Sequence, residues 1–158
     1  MFLKKKNPIT GKNSEATVLN NRFQMKFPED WEDQSIYRYQ GPEKDGIQHN
    51  IFVNIENNVE DVDIEDYAKK NIHALEKSLQ GYQELKRGPV SLDSGVRSFE
   101  LVYQWCPVEN RKVYQRVVYI LINQTGYILT ATFSKKTWKT FGPGVDKILK
   151  SFSVPDTR

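Results

Sequence analysis

The 158-residue sequence has one cysteine, Cys106, and two histidines, His49 and His73. A single cysteine excludes an internal disulfide, and the expectation is a reduced, cytoplasmic protein. The histidines come with no HExxH, no CxxC and no acidic partner at ligand spacing, which argues against a metal or a histidine-based catalytic site. Cys106 stands before Pro107 with no base advertised beside it and reads as an inert thiol. No apolar run reaches the roughly 20 residues of a membrane span. The basic start MFLKKK turns polar at once, without the apolar stretch of a signal peptide. The acidic residues Glu60, Asp61, Asp63, Glu65 and Asp66 lack the glycine-containing loop of a calcium site and suit a helix N-terminus instead. Gly142-Pro143-Gly144 reads as a turn and helix start, not as a phosphate loop. The expectation is a protein that is not an enzyme and takes no metal or cofactor.

Apolar residues at 38% and charged residues at 27% give the balance of a soluble globular chain. Its length suits one domain with a real core. A net charge of +3 with a sequence pI near 8.9 is only mildly basic, and the cations are interleaved with nearly as many acids, against nucleic-acid binding. Lys4 to Lys6 and the group Lys135, Lys136 and Lys139 serve solubility on this reading.

Residues 1–21 read as a polar arm and residues 22–154 as a single domain. Strands are expected at Arg22 to Phe27, Ser35 to Gln40 and His49 to Glu56. Asp63 caps a helix whose apolar positions Ile64, Tyr67, Ala68, Ile72, Leu75 and Leu79 fall on one stripe, ended by Gly81. Strands follow at Tyr82 to Leu92, Arg97 to Cys106, Lys112 to Ile122 and Tyr127 to Ser134, and a last helix carries Val145, Ile148, Leu149 and Phe152. The order βββαββββα with hairpin-length links implies an α+β fold, an antiparallel sheet with helices packed on it.

Sorting the side chains onto two faces gives a specific expectation. With Asn123 to Gly126 as a four-residue loop, Ile122 opposes Tyr127, so Val118, Ile120, Leu129 and Ala131 share one face. With Trp105 opposite Lys112, Phe99, Leu101, Tyr103 and Trp105 join that face. It then becomes the seat of both helices. The other face carries Glu100, Val102, Gln104, Val113, Gln115, Val117, Tyr119, Leu121, Ile128, Thr130 and Thr132. That mixture is too apolar for a solvated surface and too polar for a dry core. Either a further layer covers it or it binds something.

The segments FPEDWEDQSIYRY, NIFVNIE, FELVYQW, VYQRVVYI, GYILTATF and ILKSF, in this order around the capped helix, resemble the DcrB-related family of PsbP-like domains. Within it, the sequence is most similar to the Eag-type chaperones that accompany type VI secretion effectors. The resemblance implies a PsbP-like fold and a small cytoplasmic homodimer. Its partner would be the hydrophobic N-terminal transmembrane segments of an effector, held by apolar strand residues and glutamines, with no nucleic acid bound and no insertion into the membrane. It further implies that Gln115 is a contacting strand glutamine and that Ile36 lines the groove, and Arg38 stands where an apolar residue is expected. Together with the mixed face, the candidate partner-binding set is Ile36, Val102, Gln104, Gln115, Val117, Tyr119 and Thr130. The other reading of the same residues is a non-catalytic PsbP- or DcrB-like module that binds a folded protein or a small ligand.

Overall fold

The computed structural model of the chain describes residues 15–19 and 23–155. Most of the expected polar arm, with Lys4 to Lys6, lies outside the described residues. The chain divides into two compact units, one made of the segment up to Ser35 with the tail from Val154, the other of Ile36–Ser153. In the first, β1 (Glu15–Leu19) pairs antiparallel with β2 (Gln24–Pro28). Beyond it, Trp31 donates its backbone N–H to the Pro28 carbonyl and packs on Phe27 at 5.6 Å.

The second unit holds β3 (Ile36–Lys44), β4 (Ile47–Glu56), α1 (Ile64–Ser78), β5 (Gln83–Ser91), β6 (Arg97–Val108), β7 (Arg111–Ile122), β8 (Thr125–Phe133) and α2 (Lys135–Lys150). Its six strands form one antiparallel sheet in the order β3-β4-β8-β7-β6-β5. From β2 onward the element order is the expected βββαββββα, and the fold is α+β.

Tight turns set the ladders. Asp45 and Gly46 turn β3 into β4, both with φ in the left-handed region. Asn123 and Gln124 do the same between β7 and β8, so Ile122 opposes Thr125 across a two-residue turn and not Tyr127 across a four-residue one. The loop is two residues shorter than the sequence suggested. Because side chains alternate with period two, the faces of β7 and β8 stay as expected.

The β6–β7 ladder differs in the way that matters. Val108 opposes Arg111, but Trp105 opposes Val113, with a register shift between them. Pro107 lies in that shift and has no N–H to give to the ladder, which favours a bulge there. The extra residue turns the rest of β6 over. Phe99, Leu101, Tyr103 and Trp105 therefore share a face with Val113, Gln115, Val117 and Tyr119, not with Val118 and Ile120.

That shared face is the seat of α1 alone. Asp63 caps the helix by accepting from the Asp66 N–H at 2.9 Å. Tyr67, Ala68 and Ile72 pack with Phe99, Leu101, Tyr103, Val117 and Tyr119 into one cluster. The tyrosine rings interlock, Tyr67 edge-on to Tyr119 at 6.5 Å and Tyr82 against Tyr103 at 5.2 Å. Tyr67 also lies over Gly126, where an added Cβ would meet its Oη at 2.1 Å.

The second helix covers the opposite face, which the sequence reading did not foresee. It begins at Lys135, before the Gly142-Pro143-Gly144 stretch, because Ser134 and Thr137 form a reciprocal capping box. Pro143 sits inside the helix. Trp138 packs on Phe133 at 5.1 Å, Phe141 on the buried His49 ring at 4.7 Å, and Phe152 on Tyr127 at 5.1 Å. His49 bridges Pro42 and Thr137, its Nδ1 3.0 Å from the Pro42 carbonyl and its Nε2 2.7 Å from the Thr137 hydroxyl. It fastens α2 to the β3–β4 hairpin. On this face Glu100 is almost fully buried, and its carboxylate meets Lys86 at 2.9 Å and Arg116 at 2.8 Å. Arg116 also pairs with Asp146 of α2.

The buried tyrosines carry a pH signature. Burial raises the phenols of Tyr67, Tyr103 and Tyr119 far above the ordinary value of 10.0, and burial together with Glu84 and Glu76 pushes Tyr82 up to about 12. A group whose folded pKa is raised contributes stability that is complete below its unfolded pKa and is lost as pH rises through the folded one. The thermal midpoint is therefore expected to drop above about pH 10, with tyrosinate absorbance growing in step with unfolding. Ionisation of all four phenols with the melt unchanged would contradict the α1 packing.

Candidate functional site

Helix α1 packs on β6 and β7, and at β8 Tyr67 covers Gly126 while Ile128 packs at the margin of the cluster. On the remainder of that face, toward β8, β4 and β3, the side chains stay partly or largely exposed. Register places them in rows. Ile36 lies beside Asn54 and Asn54 beside Ile128; Arg38 lies beside Phe52 and Phe52 beside Thr130; Gln40 lies beside Asn50. Ile128, Thr130, Thr132, Asn50, Phe52 and Asn54 are half-buried, while Ile36 is 60% exposed at the sheet edge.

The patch combines apolar surface with amide and hydroxyl groups. The Oδ1 atoms of Asn50 and Asn54 are buried and have no hydrogen-bond donor among the described residues. Such acceptors are costly unless something supplies a donor. The Arg38 guanidinium sits over the Phe52 ring, 5.5 Å from its centroid. Gln115 marks the boundary with the core. Its Oε1 accepts from the Tyr103 hydroxyl at 2.6 Å and from the Trp105 indole N–H at 2.9 Å, and its Nε2 donates to Thr132 Oγ1 at 3.0 Å. Those bonds fix the amide, so Gln115 braces the edge of the patch.

The seven candidate residues do not form one surface. Ile36, Gln115 and Thr130 lie on or beside the half-open patch. Val117 and Tyr119 share its face but are buried under α1, each 1% exposed. Val102 and Gln104 are turned to the opposite face by the bulge in β6 and are buried there, Gln104 donating to Gln83. Asn50, Phe52 and Asn54 were missed. The alternation of NIFVNIE held the signal, since it puts Asn, Phe and Asn opposite to Ile51, Val53 and Ile55, in the same mixture of types that singled out β7.

Among the described residues, no group of histidine, cysteine, aspartate or glutamate side chains is placed to hold a metal ion, and no helix is long and apolar enough to cross a membrane. The fold has known counterparts. A Pseudomonas aeruginosa protein of unknown function, PA94, described as a putative regulator, superposes with a TM-score of 0.74 at 22% identity, over 90% of this chain and 99% of that one. The solution structure of cyanobacterial PsbP (CyanoP) from Synechocystis sp. PCC 6803 gives a TM-score of 0.54 at 12% identity, over 92% of this chain and 95% of that one. At these identities the likeness is one of fold, and the fold is PsbP-like. No curated protein matches the sequence significantly. The DcrB family model matches residues 24–151, most of the chain, and the protein belongs to the DcrB family.

Proposed function

We propose that this DcrB-family protein is a cytoplasmic, non-enzymatic chaperone or adaptor that acts as a homodimer and shields the hydrophobic N-terminal transmembrane segments of a type VI secretion effector. The observation that supports this reading is the half-open patch beside α1, where Ile36, Phe52 and Ile128 alternate with Asn50, Asn54 and Thr130. A membrane span of about 20 apolar residues is unstable in water, each methylene favouring removal by about 0.8 kcal/mol. Apolar side chains meet that need. Amides and hydroxyls add register, because they bond to small or polar residues on the client helix. Three strands offer too little area to enclose a helical hairpin, which is the reason for two protomers.

The expected result concerns Ile36. Because it is largely exposed, Ile36→Glu should leave the thermal melt unchanged. Co-purification of a paired-transmembrane segment should nevertheless fall by about tenfold or more, since docking would desolvate an unpaired carboxylate. Unchanged capture by a folded Ile36→Glu protein would refute the patch as the binding surface. A second reading, a non-catalytic module for a folded protein or small ligand, is favoured by the edge position of β3, where Ile36 and Tyr39 are both exposed. Such a partner would add a strand along β3. It would be captured without any transmembrane segment.

A further inference from the structure

The patch holds one charge that its apolar character does not explain. Arg38 lies in its middle row, beside Phe52, and makes no ion pair among the described residues. Glu43 stands toward one end of the β3–β4 ladder, in register with Gln48, and Glu56 at the end of the β4–β8 ladder, in register with Gly126, and neither forms an ion pair with it. The guanidinium is held over the Phe52 ring, which positions the charge above the patch. An apolar helix laid there would strip water from an unpaired cation. That is strongly unfavourable unless the helix brings an acceptor.

We propose that Arg38 reads the charge of the occupant: the segment this patch takes is an apolar helix carrying one aspartate or glutamate on its docked side, paired with Arg38 over Phe52. The inference rests on the reading of the patch as a chaperone surface and specifies its client. The planar guanidinium suits the task, because it offers two parallel N–H donors to a carboxylate while its face remains stacked on the ring. The same cation disfavours helices that present lysine or arginine, and it penalises wholly apolar ones. Selectivity then comes from rejection as well as attraction.

The test uses the full-length chain and three probes, each a leucine-alanine helix of about 20 residues fused to a soluble carrier, with glutamate, glutamine or lysine at its centre. Binding is titrated by fluorescence. The expected order is glutamate tightest, by roughly ten- to a hundredfold over glutamine, and lysine weakest. Arg38→Leu should erase the difference between glutamate and glutamine while keeping the glutamine probe bound, and Arg38→Glu should make lysine the preferred centre. Equal binding of all three probes by the parent protein overturns the role of Arg38 and leaves the chaperone reading standing. So does a glutamate preference that survives Arg38→Leu, since another group would then supply it. Failure to bind any probe removes the chaperone reading and this inference with it.

Discussion

Val117→Glu is expected to leave no folded protein. Val117 is 1% exposed, opposed by Leu101 on one side and Thr130 on the other, and sealed beneath α1 in the cluster with Ala68, Ile72 and Tyr119. Arg87, in register with Leu101, is already bound to Glu84 and Glu76. The penalty for an unpaired buried charge is on the order of 5 kcal/mol or more, as large as the whole stability of many domains. Leu101→Ala provides a graded companion. Leu101 is fully buried in the same cluster, and truncating it should cost about 2–5 kcal/mol through the cavity it leaves. Circular dichroism melts check both. A Val117→Glu protein that melted cooperatively at the parental temperature would mean that α1 does not cover β7.

Arg116→Leu should be nearly as damaging, from the other side of the sheet. The Arg116 guanidinium donates from Nε and Nη2 to Glu100 and from Nη1 to Asp146, and Lys150 meets the second oxygen of Asp146 at 3.1 Å. These contacts tie β6, β7 and α2 together. Without Arg116, the buried Glu100 carboxylate keeps only Lys86, a mostly exposed cation. Breaking one side of such a pair costs about 3–5 kcal/mol, whereas replacing both partners by apolar groups is often neutral. Arg116→Leu with Glu100→Leu should therefore recover much of the loss, and a double variant no better than the single would argue against the pairing. Acid provides a second check. Burial acts to raise Asp146, but hydrogen bonds from Arg116 and Lys150 outweigh it and hold the carboxyl below its ordinary 3.8. Its stabilising contribution is present above that value and disappears as pH falls through the lowered one. Denaturation curves in Arg116→Leu should lose that part of the acid dependence.

The legible parts of this fold were those with local causes. The α1 stripe could be read because Ile64, Tyr67, Ala68 and Ile72 repeat at helical spacing behind the Asp63 cap. The faces of β7 and β8 survived a misjudged loop because the error was an even number of residues. The face of β6 did not, because one extra residue near Cys106 and Pro107 reversed its alternation, and Pro107, which favours a bulge, reads equally well in sequence as the end of the strand. This is why Val102 and Gln104 were assigned to the wrong side and why Val117 appeared to face outward. The start of α2 was obscured by Pro143, normally a helix breaker. Pro143 and Lys139 are both exposed, so water can serve the carbonyl that lacks a helix donor. The network of Glu100, Arg116 and Asp146 left no trace in sequence, since it joins three elements distant along the chain.

The strand order has a kinetic side. Every neighbouring pair in the six-stranded sheet is joined by one short link except β4 and β8, which lie on either side of α1 and three further strands. The hairpin β3–β4 and the run β5 to β8 close through local turns, but the seam between β4 and β8 requires closure of a long loop and is expected to form late. Until it does, β8 keeps a bare edge of unpaired backbone groups next to Leu129 and Ala131, a template for pairing with another unfinished chain. Pulse-labelled hydrogen exchange would reveal the order, with amides of the β4–β8 ladder protected after those of β6–β7. Aggregation during refolding should accordingly depend on how quickly that one seam closes, and substitutions that slow β4 would act on yield before they act on stability.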